Sequence, residues 1–202
     1  MITDMSQPLA PALGNALEVA EAMRVLTGQA HGRLFDLSVA LGGQALVLGG
    51  LADTPQAGEA QIQAALSDGR AADRFARMLA EMGGPKDFTE HWQDHLPSAP
   101  VIRDLPAPRA GYVAAMDGEA MGLAVIALGG GRQVEGDIIN PAVGLDRVAP
   151  LGAQLERGDP LLRIHAATPE QADSAAKALL TAITIADKAA PVPPLIHDQV
   201  PG

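Results

Sequence analysis

Four prolines fall within twelve residues, at Pro97, Pro100, Pro106 and Pro108. No continuous helix passes through such a stretch, because each proline removes an amide donor and clashes with the preceding turn. The chain is therefore expected to change character there. Residues 1–100 read as one body, 101–109 as an extended connection, 110–187 as a second module and 188–202 as a tail.

Before the break, apolar residues recur at helical spacing. Ala16, Leu17, Ala20, Met23 and Leu26 share one face of a helix that starts at Gly14. Leu34–Leu51 is almost entirely apolar and reads as a helix buried on most sides, with Gly42 and Gly43 permitting close neighbours. Thr54-Pro55 is an N-cap followed by proline at the first helical position, and Gly69 closes that helix. Ala72–Met82 reads as a further helix with Phe75, Met78, Leu79 and Met82 inward. After the break the runs are shorter and β-like: 111–116, 145–148 and 161–166. One helix, 118–128, interrupts them and ends at Gly129-Gly130-Gly131. The last helix opens with Thr168-Pro169 and Gln171, and its apolar face runs through Ala172, Ala176, Leu179, Ile183 and Ala186.

Composition narrows the possible partners. Fourteen basic and 24 acidic residues give a formal charge of −10, which repels phosphate backbones, and three Phe, one Trp and one Tyr leave few rings for stacking bases. Nucleic acid is not an expected partner. The lack of cysteine excludes disulfides, thiolate zinc sites and thiol catalysis, and fits a cytoplasmic protein. Met1–Met5 has no basic n-region, and the most apolar run, 120–129, is about half the ~20 residues of a membrane span. No membrane association is expected. Patterning begins at Ile2, as though an element were entered midway.

Candidate chemistry is sparse. Gly129–Gly131 with Arg132 could cradle phosphate, but these glycines end a helix, at its partially negative terminus, and so read as a C-cap. His91 and His95 are four apart beside Glu90 and Asp94, yet no third ligand is identifiable, and they read as surface histidines on a short helix near Trp92. His165 lies in an apolar strand as a structural residue. Glu18 and Glu21 read as a capping or solvated face near a helix start. The turn around Gly158 is similar to that of a biotin- or lipoyl-type carrier, but holds no lysine. No catalytic residue emerges.

A resemblance adds to this reading. Ile2-Thr3-Asp4-Met5-Ser6-Gln7-Pro8-Leu9, then Gly14-Asn15-Ala16-Leu17-Glu18-Val19 and Glu21-Ala22, resemble the thymidine phosphorylase and pyrimidine nucleoside phosphorylase family. Residues 122–132, Asp137-Ile138-Ile139, Ala142-Val143-Gly144 and Gly158-Asp159-Pro160-Leu161 follow in family order, so the resemblance spans essentially the whole chain. It implies the C-terminal half of a longer α/β enzyme. Within this chain that means an α+β arrangement, in which a helical part of the large α/β domain precedes a small, hammerhead-like C-terminal module. The family's reaction is reversible phosphorolysis of thymidine to thymine and 2-deoxyribose 1-phosphate, with phosphate as co-substrate, in a homodimeric enzyme of nucleoside salvage. The phosphate- and pyrimidine-binding residues belong to the N-terminal half, which is the implied partner.

Accordingly the resemblance carries over no catalytic residue and no cofactor for the isolated chain. It does imply a monovalent cation, usually potassium, in the intact enzyme. The implied ligands are the backbone carbonyls of Leu9 and Ala12 and the carboxylate of Glu21, and oxygen-only ligands suit such a hard ion. Ala10-Pro11 departs from the glycine and aromatic residue common in relatives. Without the partner half, helices 14–27 and 34–51 are expected to expose apolar surface. The alternative is a non-catalytic assembly module that pairs with a separate N-terminal half or self-associates.

Overall fold

The computed structural model describes residues 1–198, and the chain divides into two compact units. The first comprises residues 1–3, 20–95 and 195–198. It holds the latter part of α1 (Asn15–Leu26), then α2 (Arg33–Leu48), α3 (Pro55–Ser67), α4 (Arg70–Glu81) and α5 (Phe88–His95). A short antiparallel pair joins β1 (Ile2–Thr3) to β8 (Ile196–Asp198).

Glycines set how α2 meets α3. A Cβ on Gly58 would lie 2.5 Å from the carbonyl oxygen of Gly43, and one on Gly43 would lie 2.8 Å from that of Pro55. The two backbones therefore approach as closely as bare glycine allows. Thr54 starts α3 by accepting the amide of Ala57 at 3.2 Å, with Pro55 at the first turn. Gly69, at φ 88°, turns the chain directly into α4. Beyond α4, Phe75 and Phe88 pack with ring centroids 6.2 Å apart, and the guanidinium of Arg24 lies 5.6 Å from the centre of the buried Trp92 ring.

Three helix faces differ from the sequence reading. In α4 the inward positions are Ala72, Phe75, Ala76 and Leu79, while Met78 and Met82 are exposed. Packing follows the set spaced three and four from Ala72, and the methionines fall outside it. In α2 only Val39, Ala40 and Gly43 are buried, because the glycine face turns toward α3. Leu41 and Leu48 are left 47% and 89% exposed. Exposed apolar surface was expected on α1 as well, but there Ala20, Met23 and Val25 are buried.

The second unit comprises residues 4–19 and 96–194. Two three-stranded antiparallel sheets form in it. One has β2 (Val101–Pro106), β6 (Pro160–Ala166) and β4 (Gly144–Asp146) in the order β2-β6-β4. The other has β5 (Gln154–Leu155), β3 (Gly111–Met116) and β7 (Ile183–Ala186) in the order β5-β3-β7. Helices α6 (Gly118–Val125) and α7 (Pro169–Ala182) contribute to a core that includes Val113, Met121, Val143, Leu145, Leu162, Ile164 and Leu179.

The proline-rich stretch is extended, as its sequence predicts, but it is not a free connection: Val101–Pro106 pairs with β6 along its length. As the edge strand it tolerates Pro106 at its end, where a register shift occurs opposite Pro160. Helix α6 is capped by Asp117, which accepts the amide of Ala120 at 2.9 Å, and it passes into a single π-helical turn, Ile126–Gly130. Helix α7 is capped by Thr168 as expected, but it ends at Ala182 rather than continuing to Ala186. Ile183, Thr184 and Ile185 are β-branched, and they leave the helix to pair with β3 as β7.

Glycine substitutions separate contact from propensity. Gly58→Ala should destabilise the chain by about 1–3 kcal/mol through backbone overlap. Gly122→Ala, in α6 with nothing within 4 Å of the added methyl, should stabilise it by about 0.5–1 kcal/mol. Urea unfolding followed by circular dichroism checks both signs.

Candidate functional site

The family-like segment at the start of the chain is tied into the second unit at several points. Ser6 bonds the carboxylate of Asp4, closing a local turn. The Gln7 side chain is buried, and its Oε1 accepts the amide of Leu151 at 3.0 Å. The Pro11 carbonyl accepts the amide of Val148 at 3.1 Å. Leu13 and Leu145 then exchange both backbone bonds, at 2.9 and 2.8 Å, which extends the first sheet beyond β4. Gly14 follows against Gly144. A Cβ on either would come within 2.6 Å of a backbone oxygen of the opposing strand, and both have positive φ. Helix α1 begins there, with the amide of Gly14 bonded to Glu18 Oε1 and that of Ala16 to the Pro141 carbonyl. Glu18 is thus a capping group, in line with the dipole argument.

This threading determines which carbonyls remain available. Among the described residues the carbonyls of Leu9 and Ala12 accept no hydrogen bond, whereas those of Pro11 and Leu13 are taken. The carbonyls of Pro8 and Ala10 are likewise unpaired, but of Pro8–Ala12 only Ala12 is buried, at 4% exposure. A buried carbonyl without a partner is uncommon, and a hard cation satisfies one. The donor chemistry of Leu9 and Ala12 therefore fits a cation held by oxygen. Glu21 lies in the first unit, buried on α1 and ion-paired with Arg24. It is not the solvated carboxylate that its spacing from Glu18 also allowed.

The remaining candidates have structural settings. Gly129, at φ 95°, leaves helical dihedrals within the last part of the π-helical turn, and its carbonyl accepts the amide of Asn140 at 2.9 Å. The loop that follows, with Arg132, is braced by Asp137, whose carboxylate accepts the amides of Gln133 and Val134 at 2.9 and 3.0 Å. Those two bonds, that from Val134 foremost, hold the Asp137 carboxyl below the usual carboxylate range. His91 sits at a kink with non-helical dihedrals, so a shared helical face with His95 does not form. His95 instead contacts Asp87 at 3.1 Å and stacks on Phe88. His165 is buried in β6, with Nε2 3.1 Å from Oδ1 of Asp146 on β4. Neither Asp146 nor Gln7 carries a signal in the sequence that reveals its partner: the pairing of β4 with β6 brings Asp146 to His165, and the fold of the loops brings Gln7 to Leu151.

With this geometry in place, similarity to known proteins is decisive. Residues 112–186 match the family model of the pyrimidine nucleoside phosphorylase C-terminal domain. Through that stretch the chain is similar to the C-terminal part of pyrimidine nucleoside phosphorylases. It is 40% identical to the thymidine phosphorylase of Agrobacterium fabrum and 43% identical to that of Burkholderia orbicola, in each case over 99% of this chain. It spans 46% of the length of each relative. The domain match covers β3 through β7, the elements to which the Gly14 segment is tied through β4 and the 148–151 loop. Among the described residues no helix is long and apolar enough to cross a membrane.

Protonating Asp137 should release its loop. Because the folded value is depressed, the bracing is present above the ordinary carboxylate range and is lost as pH falls through the folded value. Carbon-13 titration should place Asp137 below the ordinary carboxylate range, and Asp137→Ala should speed amide exchange at Gln133 and Val134 at neutral pH.

Proposed function

We propose that this chain is the structural, C-terminal portion of an enzyme that phosphorolyses thymidine, and that it is inactive by itself. In that reaction a phosphate oxygen forms a bond to C1′, the bond from C1′ to the pyrimidine nitrogen breaks, and thymine leaves with 2-deoxyribose 1-phosphate. Catalysis of this kind needs a held phosphate and stabilisation of the charge developing on the leaving base. The single observation carrying the reading is the 40–43% identity to thymidine phosphorylases along 99% of the chain. Its coverage of 46% of those proteins supports placing the phosphate and pyrimidine residues in the other half, the implied partner of a homodimeric, cytoplasmic enzyme.

The contribution of this chain is support and cation binding. Carbonyl oxygens of Leu9 and Ala12 would hold a monovalent cation, taken as potassium. The unpaired carbonyls support that assignment on the backbone side. When bound, the ion supplies fixed positive charge; the residues themselves supply oriented oxygen dipoles.

A second reading, an assembly module, is favoured by the exposed apolar stripe of α2, continued by Leu51 at 68% exposure. Purified chain incubated with thymidine and phosphate should release no thymine, and addition of the N-terminal half of a relative should restore release. Release by the chain alone sinks the structural reading. A discrete oligomer of the chain in gel filtration, with no restoration, favours the assembly module.

A further inference from the structure

Gln7 is a buried polar residue that the cation reading leaves without a role. It is 7% exposed, and its side-chain acceptor meets an amide 144 positions away in the chain. The loop that provides this amide is itself anchored: the Ala149 amide bonds the Leu161 carbonyl at 2.9 Å, and the Gly152 amide bonds the Val113 carbonyl at 2.8 Å. Leu151 therefore belongs to a frame fastened to β6 and β3, and Gln7 attaches the incoming segment to that frame. At the far end of the segment Leu13 is locked to Leu145. Between these anchors, Pro8 and Pro11 fix two of the five φ angles of residues 8–12, and the Pro11 carbonyl is held by Val148.

We propose that Gln7 is a positioning residue: by gripping Leu151 it sets the backbone of residues 8–12 so that the carbonyls of Leu9 and Ala12 stay unpaired and available to a monovalent cation. This rests on the cation reading above. Loss of the side-chain acceptor frees one end of a short segment fixed at the other, so the two oxygens no longer come pre-arranged and binding must order them. The Leu151 amide also loses its partner.

Gln7→Met keeps the length and volume of the side chain and removes the acceptor, whereas Gln7→Glu keeps an acceptor at the same reach. Both are made in the whole 202-residue chain and measured with the N-terminal half of a relative added, because the cation is implied for the intact enzyme. Potassium chloride is titrated against choline chloride at constant ionic strength with melting temperature as readout, and amide exchange is followed at residues 9–13 and 151. Wild type should show a saturable rise in melting temperature. Q7M should need roughly fivefold more potassium for half-saturation, the factor that corresponds to one lost hydrogen bond. Exchange at Leu13 and Leu151 should be faster in Q7M, and Q7E should stay near wild type in both measurements. If Q7M does not fold, Gln7→Asn, one methylene too short to reach, carries the same comparison. A wild-type chain that ignores potassium with that half added overturns the cation reading and this inference with it. A responsive wild type whose half-saturation is unmoved in Q7M overturns the positioning role alone.

Discussion

Two facing glycines decide how the start of this chain joins its C-terminal unit. Where Gly14 and Gly144 meet, a methyl group on Gly144 would sit 2.2 Å from the Leu13 carbonyl oxygen, well inside any tolerable contact. Only with both side chains absent can Leu13 and Leu145 exchange their two backbone bonds and α1 begin over β4. Positive φ at both positions makes glycine doubly favourable there. The partners of Pro11 and Ala16 follow from that crossing, because once it is fixed the neighbouring amides of Val148 and carbonyl of Pro141 lie within reach.

Charge plays a smaller part in the same unit. Arg163 reaches Asp104 across the β2-β6 pair at 2.7 Å, and Arg103 reaches Asp173 on α7 at 2.8 Å. The Arg163 guanidinium holds Asp104 below the usual carboxylate range. Both pairs lie at the solvent-exposed surface, where screening leaves such pairs little net stabilisation. Their greater effect is on register, since a one-residue slip of β2 would carry Asp104 to the opposite face from Arg163. The contact between His165 and Asp146 lies on the same face but is buried, so removing one partner would leave the other desolvated.

Local signals were legible wherever their cause was local. Thr54-Pro55 and Thr168-Pro169 start helices because a side-chain oxygen three residues back satisfies an otherwise free amide. The Gly129 stop and the loss of helix near Pro97 are local in the same sense. Misreadings arose where burial decides. Ile183 continues the apolar face of α7 by spacing, yet the competing partner is β3, about seventy positions earlier in the chain. Met78 and Met82 are as apolar as Leu79, and only the packing of α4 shows which ones face inward.

For the candidate site the division falls in the same place. The run from Ile2 to Leu9 and the glycine at 14 mark the family and the segment without any coordinates, since they are a matter of residue identity and order. Which carbonyls remain unpaired, that Gln7 meets Leu151, and that Glu21 lies buried beside Arg24 were decided by tertiary structure alone. The reason is one of range. Capping and turn preferences act across about four residues, whereas a backbone amide has the same chemistry everywhere in the chain and acquires its particular partner only when the fold brings that partner to it.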